Sequence, residues 1–161
     1  TTRNGLSGSM SLLIEHPEVK QRLIDNPAMI RDAVEEMLRL VTPVHSFGRT
    51  VLEDTELRGK HLRAGDSILM LYGSANRDPD AFEDPDHFDI DRRPQHVAFG
   101  IGSHFCLGAN LARMELRVAF EELLRRLPDM AYADAEGPVL TPSALVRTCS
   151  RMQLRFTPEA S

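Results

Sequence analysis

Apolar residues recur at helical spacing in three successive stretches at the start of the chain, and prolines separate the stretches. The first covers residues 5–15. Pro17 then opens a shorter second stretch, because proline is accepted at the first position of a helix. The third begins at Pro27 and runs to about Leu40, and Pro43 follows its end. Five of its residues are predicted to face inward: Ile30, Val34, Met37, Leu38 and Val41.

Turn residues and alternating polarity replace the helical spacing in the middle of the chain. Short strands are predicted around turns at residues 47–51, 56–62 and 68–72. Residues 76–98 carry prolines and acidic turns, and we expect an ordered irregular segment there because Phe82 and Phe88 are large apolar side chains. Near the end of the chain, residues 145–147 and 152–156 are predicted to pair as a β-hairpin.

The strongest helical signal lies between residues 108 and 127. Apolar residues form two stripes along this helix, which indicates a helix buried around most of its girth. The stripes consist of Leu111, Met114 and Val118, and of Leu116, Phe120, Leu123 and Leu127. Taken together, the pattern predicts a mainly α chain with small β-sheets, an α+β fold, without a linker that would divide it into two domains.

Composition narrows the class of protein only moderately. Apolar residues make up 42% of the 161-residue chain and charged residues 27%, as in water-soluble globular proteins. The net charge of −5 argues against a nucleic-acid partner, and no apolar run approaches the length of a membrane span. The two cysteines, Cys106 and Cys149, lie in different settings. We therefore expect no disulfide framework, no membrane association and a cytoplasmic location.

Residues 99–108, here called the cysteine loop, carry the most informative chemistry. Gly100, Gly102 and Gly108 allow tight turns around Cys106 and a close approach to a flat ligand. The helix that follows directs N–H groups toward the sulfur, which favours the thiolate. A thiolate held in this way can ligate a metal such as iron. A free cysteine in a glycine-rich turn is the commoner case, and the spacing alone leaves both interpretations open.

The cysteine loop closely resembles the haem-binding loop of cytochromes P450, whose pattern is Phe-x-x-Gly-x-(Arg or His)-x-Cys-x-Gly. Phe99, Gly102, His104, Cys106 and Gly108 fill every specified position. The resemblance implies a haem b cofactor with the Cys106 thiolate as iron ligand. It covers residues 1–161 and corresponds to the C-terminal part of that family's single domain, so we expect the chain to be a fragment.

Three further residues match a structural element of the same family. Glu36 and Arg39 form a Glu-x-x-Arg pair that shares one face of the third helix. Such pairs are frequent on solvated helices, but cytochromes P450 carry this motif in the helix that precedes the haem loop. The resemblance implies that Arg92 joins the pair, and Arg93 is expected to face solvent. The role implied for the three residues is structural.

The resemblance also implies partners for the haem and for oxygen. Arg49 and His104 are candidates to bind the haem propionates, although Arg49 fits a solubilising charge on an edge strand equally well. Thr1 matches the threonine of the family's oxygen-activating helix. Arg113 and Arg117 lie four residues apart and either present positive charge to an acidic donor or pair with Glu121. The other histidines are expected at the surface or in turns: His16, His45, His61, His87 and His96.

The activity implied by the resemblance is insertion of one oxygen atom of O2 into a small organic substrate. Electrons would come from NAD(P)H through a ferredoxin-type donor. Val44 and Phe47 favour an apolar substrate. The isolated chain is expected to be inactive. Two alternatives stay open: a fragment that binds haem without catalysis, and a P450-like isomerase or dehydratase.

Overall fold

The computed structural model describes residues 1–158, and helices dominate it. The five helices are α1 (Thr2–Glu15), α2 (Pro17–Asp25), α3 (Ile30–Val41), α4 (Tyr72–Ala75) and α5 (Ala109–Arg126). One 3-10 turn, Pro27–Met29, leads into α3, and another, Gly102–His104, lies in the cysteine loop. The predicted mainly α fold with small β-sheets is confirmed.

Within residues 1–158, four two-stranded antiparallel sheets flank the helices. Their strands are β1 (Ser46–Thr50), β2 (Thr55–Leu57), β3 (Lys60–Leu62), β4 (Ser67–Leu71), β5 (Ala131–Tyr132), β6 (Val139–Thr141), β7 (Thr148–Arg151) and β8 (Leu154–Arg155). Strands form in the middle region as predicted, and there β1 pairs with β4 and β2 pairs with β3. The hairpin predicted at the end of the chain is wrong. β7 pairs with β6, β8 pairs with β5, and Val146 forms an isolated bridge with Val44.

The core lies where α1, α2, α3 and α5 pack against one another. All five residues predicted to face inward from α3 are buried. Phe88 and Ile90 of the irregular segment join the same core, so this segment is ordered although it lacks regular secondary structure. The core residues are Leu13, Val19, Leu23, Ile30, Ala33, Val34, Met37, Leu38, Leu40, Phe88, Ile90, Leu116, Phe120, Leu124 and Met130.

The end of α3 is fixed by one strained residue. Thr42 adopts a left-handed conformation with a φ of 40°, which is unusual for a β-branched residue. Its N–H donates to the carbonyl of Leu38, and its hydroxyl donates to the carbonyl of Arg39 at 2.6 Å. Pro43 follows and cannot continue the helix. The chain therefore leaves α3 in a single defined direction toward β1.

The prediction that α5 is buried around its girth is wrong for the described residues. Leu116 and Phe120 are fully buried against α1, α2 and α3. The other stripe remains about half exposed, with Leu111 at 54%, Met114 at 50% and Val118 at 46%. Both apolar stripes lie on α5, but the pattern does not say which stripe the rest of the described chain covers. Among residues 1–158, no helix combines the length and the apolar character needed to cross a lipid bilayer.

The contact between α1 and α3 leaves no room at Gly8. A Cβ atom built at Gly8 would lie 2.5 Å from Cγ1 and 3.0 Å from Cγ2 of Val41. Alanine is the better helix former by about 1 kcal/mol, but overpacking costs about 1–3 kcal/mol. We therefore expect Gly8→Ala to lower the free energy of unfolding by about 1 kcal/mol, measured by urea denaturation.

Gly5 provides the matched control on the same helix. A Cβ atom there would make an ordinary contact of 3.6 Å with Pro43, so Gly5→Ala should leave the stability unchanged or raise it. Equal stability changes in the Gly5→Ala and Gly8→Ala variants would contradict the tight contact with Val41.

Candidate functional site

A largely apolar cavity of about 500 Å³ lies between α1, the start of β1, the cysteine loop and α5. It brings together seven of the residues singled out in the sequence. These are Thr1, Arg49, Phe99, Gly100, His104, Cys106 and Gly108. Leu38, Val44, Phe47, Tyr72 and Leu111 add apolar or aromatic wall. Gly102 does not line the cavity, and Glu36, Arg39 and Arg92 lie elsewhere.

Backbone hydrogen bonds fold the cysteine loop back on itself. The Cys106 N–H donates to the carbonyl of Phe99 at 2.9 Å, and the Phe105 N–H donates to the carbonyl of Gly102 at 3.0 Å. Gly100 and Gly102 have φ values of 71° and 67°, a region that side-chain-bearing residues rarely adopt. The loop therefore presents an exposed Cys106 at the cavity, with α5 starting three residues later.

The residues around the cavity suit a flat apolar group that carries acidic substituents. Among residues 1–158, no carboxylate pairs with Arg49, whose guanidinium donates to the carbonyl of Gly48 at 2.9 Å. His104 is exposed at the same cavity and is also free to donate to an acid. An exposed thiol, a mostly apolar wall and these two basic side chains form a donor set that fits haem.

Glu36, Arg39 and Arg92 meet in one cluster between α3 and the irregular segment. Arg39 Nε and Nη2 each donate to one oxygen of Glu36 at 2.7 Å, and both side chains have 0% exposure. Arg92 Nε donates to Glu36 Oε1 at 3.2 Å. A fully buried carboxylate is tolerated only when it is paired in this way. Arg93 is 80% exposed and pairs with Asp32, in line with the expectation that it faces solvent.

The cluster holds the irregular segment through its backbone. Arg39 Nη1 donates to the carbonyls of Asn76 and Pro85 at 2.7 and 2.6 Å, and Nη2 donates to that of His87 at 3.3 Å. Arg92 donates to the carbonyls of Glu83 and Asp84. These carbonyl acceptors span residues 76–87. Two arginines therefore fix about half of the irregular segment, which has no regular backbone hydrogen bonding of its own.

Asn76 is a buried site residue that the sequence analysis missed. Its side chain has no exposure; Nδ2 donates to the Thr42 hydroxyl and Oδ1 accepts the Val97 N–H, both at 2.8 Å. It therefore joins the end of α3 to the residues that lead into the cysteine loop. The available signal was a polar residue between the apolar run at residues 68–72 and the Asp78-Pro79 turn.

The surface-histidine prediction is wrong for His96, whose side chain is only 2% exposed. Its Nδ1 accepts the Ala98 N–H at 3.1 Å, and its Nε2 lies 3.2 Å from Glu35 Oε2. Alternating polarity gave no sign of this, because residues 94–98 belong to no regular element. Burial follows from the packing of the neighbouring Ala98 and Phe99 against the core.

The predicted pairing with Glu121 is confirmed for Arg117 and wrong for Arg113. Arg117 pairs with Glu121 at 3.6 Å, but Arg113 turns away and donates to both oxygens of Glu35 at 2.7 and 2.9 Å. Its guanidinium carbon lies 4.6 Å from the centre of the Phe99 ring. Arg113 is thus engaged between α3 and α5 and is not a free surface charge.

The pKa of the Glu35 carboxyl lies well below its ordinary value. Burial by itself raises the pKa of Glu35, but the contacts from His96 and Arg113 outweigh burial and lower the pKa to about 2. A carboxyl whose folded pKa is depressed stabilises the fold above its unfolded pKa near 4.5, and this contribution is lost as the pH falls toward 2.

The stability of a Glu35→Gln variant should therefore depend on pH in a defined direction. We expect the parent to exceed the variant by on the order of 2 kcal/mol near neutral pH, a value already reduced for solvent screening. The difference should shrink steadily between pH 4.5 and 2. Urea denaturation across that range measures it, with Glu121→Gln as an exposed control; a constant difference would contradict the depressed pKa.

Comparison with known proteins agrees with this geometry. The family model described as cytochrome P450 matches residues 1–154. A steroid C26-monooxygenase of Mycolicibacterium smegmatis is 46% identical over 99% of this chain and 40% of its own length. A methyl-branched lipid omega-hydroxylase of Mycobacterium bovis is 44% identical over 88% of this chain and 34% of its own length.

Solved structures give the same result for the fold. The cytochrome P450 PksS of the Bacillus subtilis 168 bacillaene polyketide synthase matches with a TM-score of 0.92 and 38% identity, over 97% of this chain and 41% of that one. This chain thus spans about two fifths of the relatives it matches. The resemblance found in the cysteine loop is confirmed, and the chain belongs to the cytochrome P450 family, whose members hold haem b through a cysteine thiolate.

Proposed function

We propose that this chain is the haem-ligating, C-terminal part of a cytochrome P450 domain that inserts one oxygen atom of O2 into an apolar organic substrate. The observation that carries the proposal is Cys106, an exposed thiol at an apolar cavity, in a loop whose backbone hydrogen bond to Phe99 fixes its direction. The two monooxygenase-type relatives support oxygen insertion as the reaction class.

We assign each of the other site residues a role in binding haem. Cys106 is the iron ligand, and Arg49 and His104 donate to the propionates, for which their charge and position at the cavity are suited. Phe99 supplies an apolar wall and the carbonyl that holds the Cys106 N–H. Gly100, Gly102 and Gly108 keep the loop free of side chains. When bound, haem supplies the activation of dioxygen, which no side chain of the chain can perform.

Thr1 is the proposed proton-handling residue. It is exposed and borders the same cavity as Cys106, on the first residues of the chain before α1 begins. Its hydroxyl can donate and accept a hydrogen bond, which suits a relay of protons toward bound oxygen. The carbonyl of Thr1 accepts the N–H of Gly5, so the residue is tied to the first turn of α1.

The substrate and the electron donor are proposed by chemical class. Val44 and Phe47 line the cavity and offer apolar contact to a small organic substrate. We propose a ferredoxin-type protein, reduced at the expense of NAD(P)H, as the electron donor. Because Arg113 is held by Glu35, it contributes no free charge to the attraction of such a donor.

The proposal is tested on the haem-loaded protein that contains the whole cytochrome P450 domain, because the isolated chain is expected to be inactive. Reduction under carbon monoxide should give the strongly red-shifted Soret band that thiolate ligation produces, and a peroxide surrogate should convert an apolar compound to its hydroxylated product. A Soret band without the red shift would contradict thiolate ligation. A red-shifted band with no oxygenated product, or with only a rearranged or dehydrated one, would contradict the monooxygenase reaction while leaving the haem site intact.

A further inference from the structure

We propose that Glu35, His96 and Arg113 form a positioning cluster that holds the cysteine loop against α3 and α5 and thereby sets how the thiolate meets the iron. The inference rests on the proposed role of Cys106 as haem ligand. None of the three residues belongs to the Glu-x-x-Arg element, because that element uses Glu36, the next residue along α3.

Glu35 is the centre of the cluster and joins two helices to the segment that leads into the loop. Arg113 on α5 donates hydrogen bonds to both oxygens of Glu35, at 2.7 and 2.9 Å. These two bonds fix the carboxylate in one orientation. His96, in the segment that leads into the cysteine loop, places its Nε2 atom 3.2 Å from the same carboxylate. Both glutamate and arginine are about 30% exposed, whereas the histidine ring is buried.

The hydrogen bond from Ala98 determines which nitrogen of the His96 ring carries the proton. Because Nδ1 accepts the Ala98 N–H, the ring proton resides on Nε2 and faces Glu35. Nε2 is a buried polar atom without a well-directed hydrogen bond, so its contact with the carboxylate is electrostatic. His96 therefore links α3 to a backbone N–H only one residue before the cysteine loop.

The cluster reaches Cys106 through Phe99. The Arg113 guanidinium lies 4.6 Å from the centre of the Phe99 ring, and the His96 ring lies 5.9 Å from it. The carbonyl of the same Phe99 accepts the Cys106 N–H at 2.9 Å. Groups that orient a metal ligand from outside its first contacts tune the metal it binds. A shift of Phe99 therefore changes the direction of the Cys106 N–H and the position of its sulfur.

A second anchor acts on the same short segment from the other side of α3. Asn76 accepts the Val97 N–H, and Asn76 is itself held by Thr42 and Arg39. The N–H groups of Val97 and Ala98 are thus fixed independently, one by Asn76 and one by His96. Loss of the Glu35 cluster should therefore alter the loop without unfolding it, which makes its role separable from plain stability.

The test uses the haem-loaded protein and three substitutions with a matched control. Glu35→Gln removes the charge, and Arg113→Lys keeps the charge but loses the fork. In His96→Asn, the amide oxygen can replace Nδ1 as acceptor for Ala98 while the contact to Glu35 is lost. Arg117→Gln on the same helix removes an exposed ion pair instead. The readouts are the reduction potential of the iron, the red-shifted Soret band under carbon monoxide and the thermal midpoint.

We expect Glu35→Gln and His96→Asn to shift the reduction potential of the folded protein and to speed loss of the red-shifted band at least about tenfold on warming. Arg113→Lys should give a smaller shift in reduction potential than the other two variants, because it keeps the charge. Arg117→Gln should match the parent. A lower thermal midpoint with an unchanged potential and Soret position would overturn the inference, as would no change at all. If Glu35→Gln does not take up haem, His96→Asn decides alone. A parent without the red-shifted band would instead overturn the proposed function.

Discussion

Replacement of Cys106 by serine will abolish the strongly red-shifted Soret band of the reduced carbon monoxide complex. The cause is electronic: serine is a poor ligand in its neutral form, whereas the cysteine thiolate donates electron density to the iron. The cysteine loop itself should keep its fold, because its hydrogen bonds run through the backbone of Phe99, Gly102 and Cys106 rather than through the thiol. Absorption spectroscopy of the reduced, carbon monoxide-treated protein measures the effect.

Cys149 offers a control of the same chemistry. It lies in β7, away from the cavity, and its thiol donates to the carbonyl of Arg151 at 3.2 Å. Cys149→Ser should therefore leave the spectrum unchanged. Persistence of the red-shifted band in Cys106→Ser, or its loss in Cys149→Ser, would place the iron ligand elsewhere.

Replacement of Arg39 by lysine should lower the free energy of unfolding by about 3–5 kcal/mol, the cost of breaking a buried ion pair. Lysine keeps the charge, but one ammonium cannot reach both oxygens of Glu36 and the carbonyls of Asn76, Pro85 and His87. Buried carbonyls would lose their donors, and Glu36 would retain only Arg92 as a basic partner. Guanidinium chloride denaturation of the protein measures the change.

Arg93→Lys is the matched control for this substitution. Arg93 is 80% exposed and pairs with Asp32 at the surface, so lysine there should change the free energy of unfolding by less than about 0.5 kcal/mol. An Arg39→Lys protein that unfolds at the parent's midpoint would show that the buried cluster does not anchor the irregular segment.

The helices were predictable because their signal is local. The inward positions of α3 follow from its 3.6-residue period, and prolines mark the starts of α2 and of the turn before α3. The same reasoning failed at the end of the chain. β5 to β8 are two to four residues long, so alternation cannot choose among partners. β6 pairs with β7, its neighbour along the chain, whereas β5 pairs with β8 across the whole of that pair.

Some residues of the candidate site could likewise be predicted from the sequence, and others could not. Cys106, its glycines and the Glu-x-x-Arg pair form compact motifs, and their positions could be predicted from residue order. His96, Asn76 and Arg113 could not, because each acts through a partner at least 20 residues away. Glu121 lies eight residues beyond Arg113, outside the i,i+4 spacing at which helical side chains meet, whereas packing of α5 against α3 brings Glu35 to Arg113.

The sequence by itself determined the family, the mainly helical fold and the cysteine that faces the cavity, because each depends on short-range patterns or on one unbroken motif. Only the tertiary structure decided which stripe of α5 is buried, how the last strands pair and which charged residues meet Glu35 on α3. Those outcomes depend on the packing of distant segments, where several partners satisfy the same local pattern and burial selects one of them.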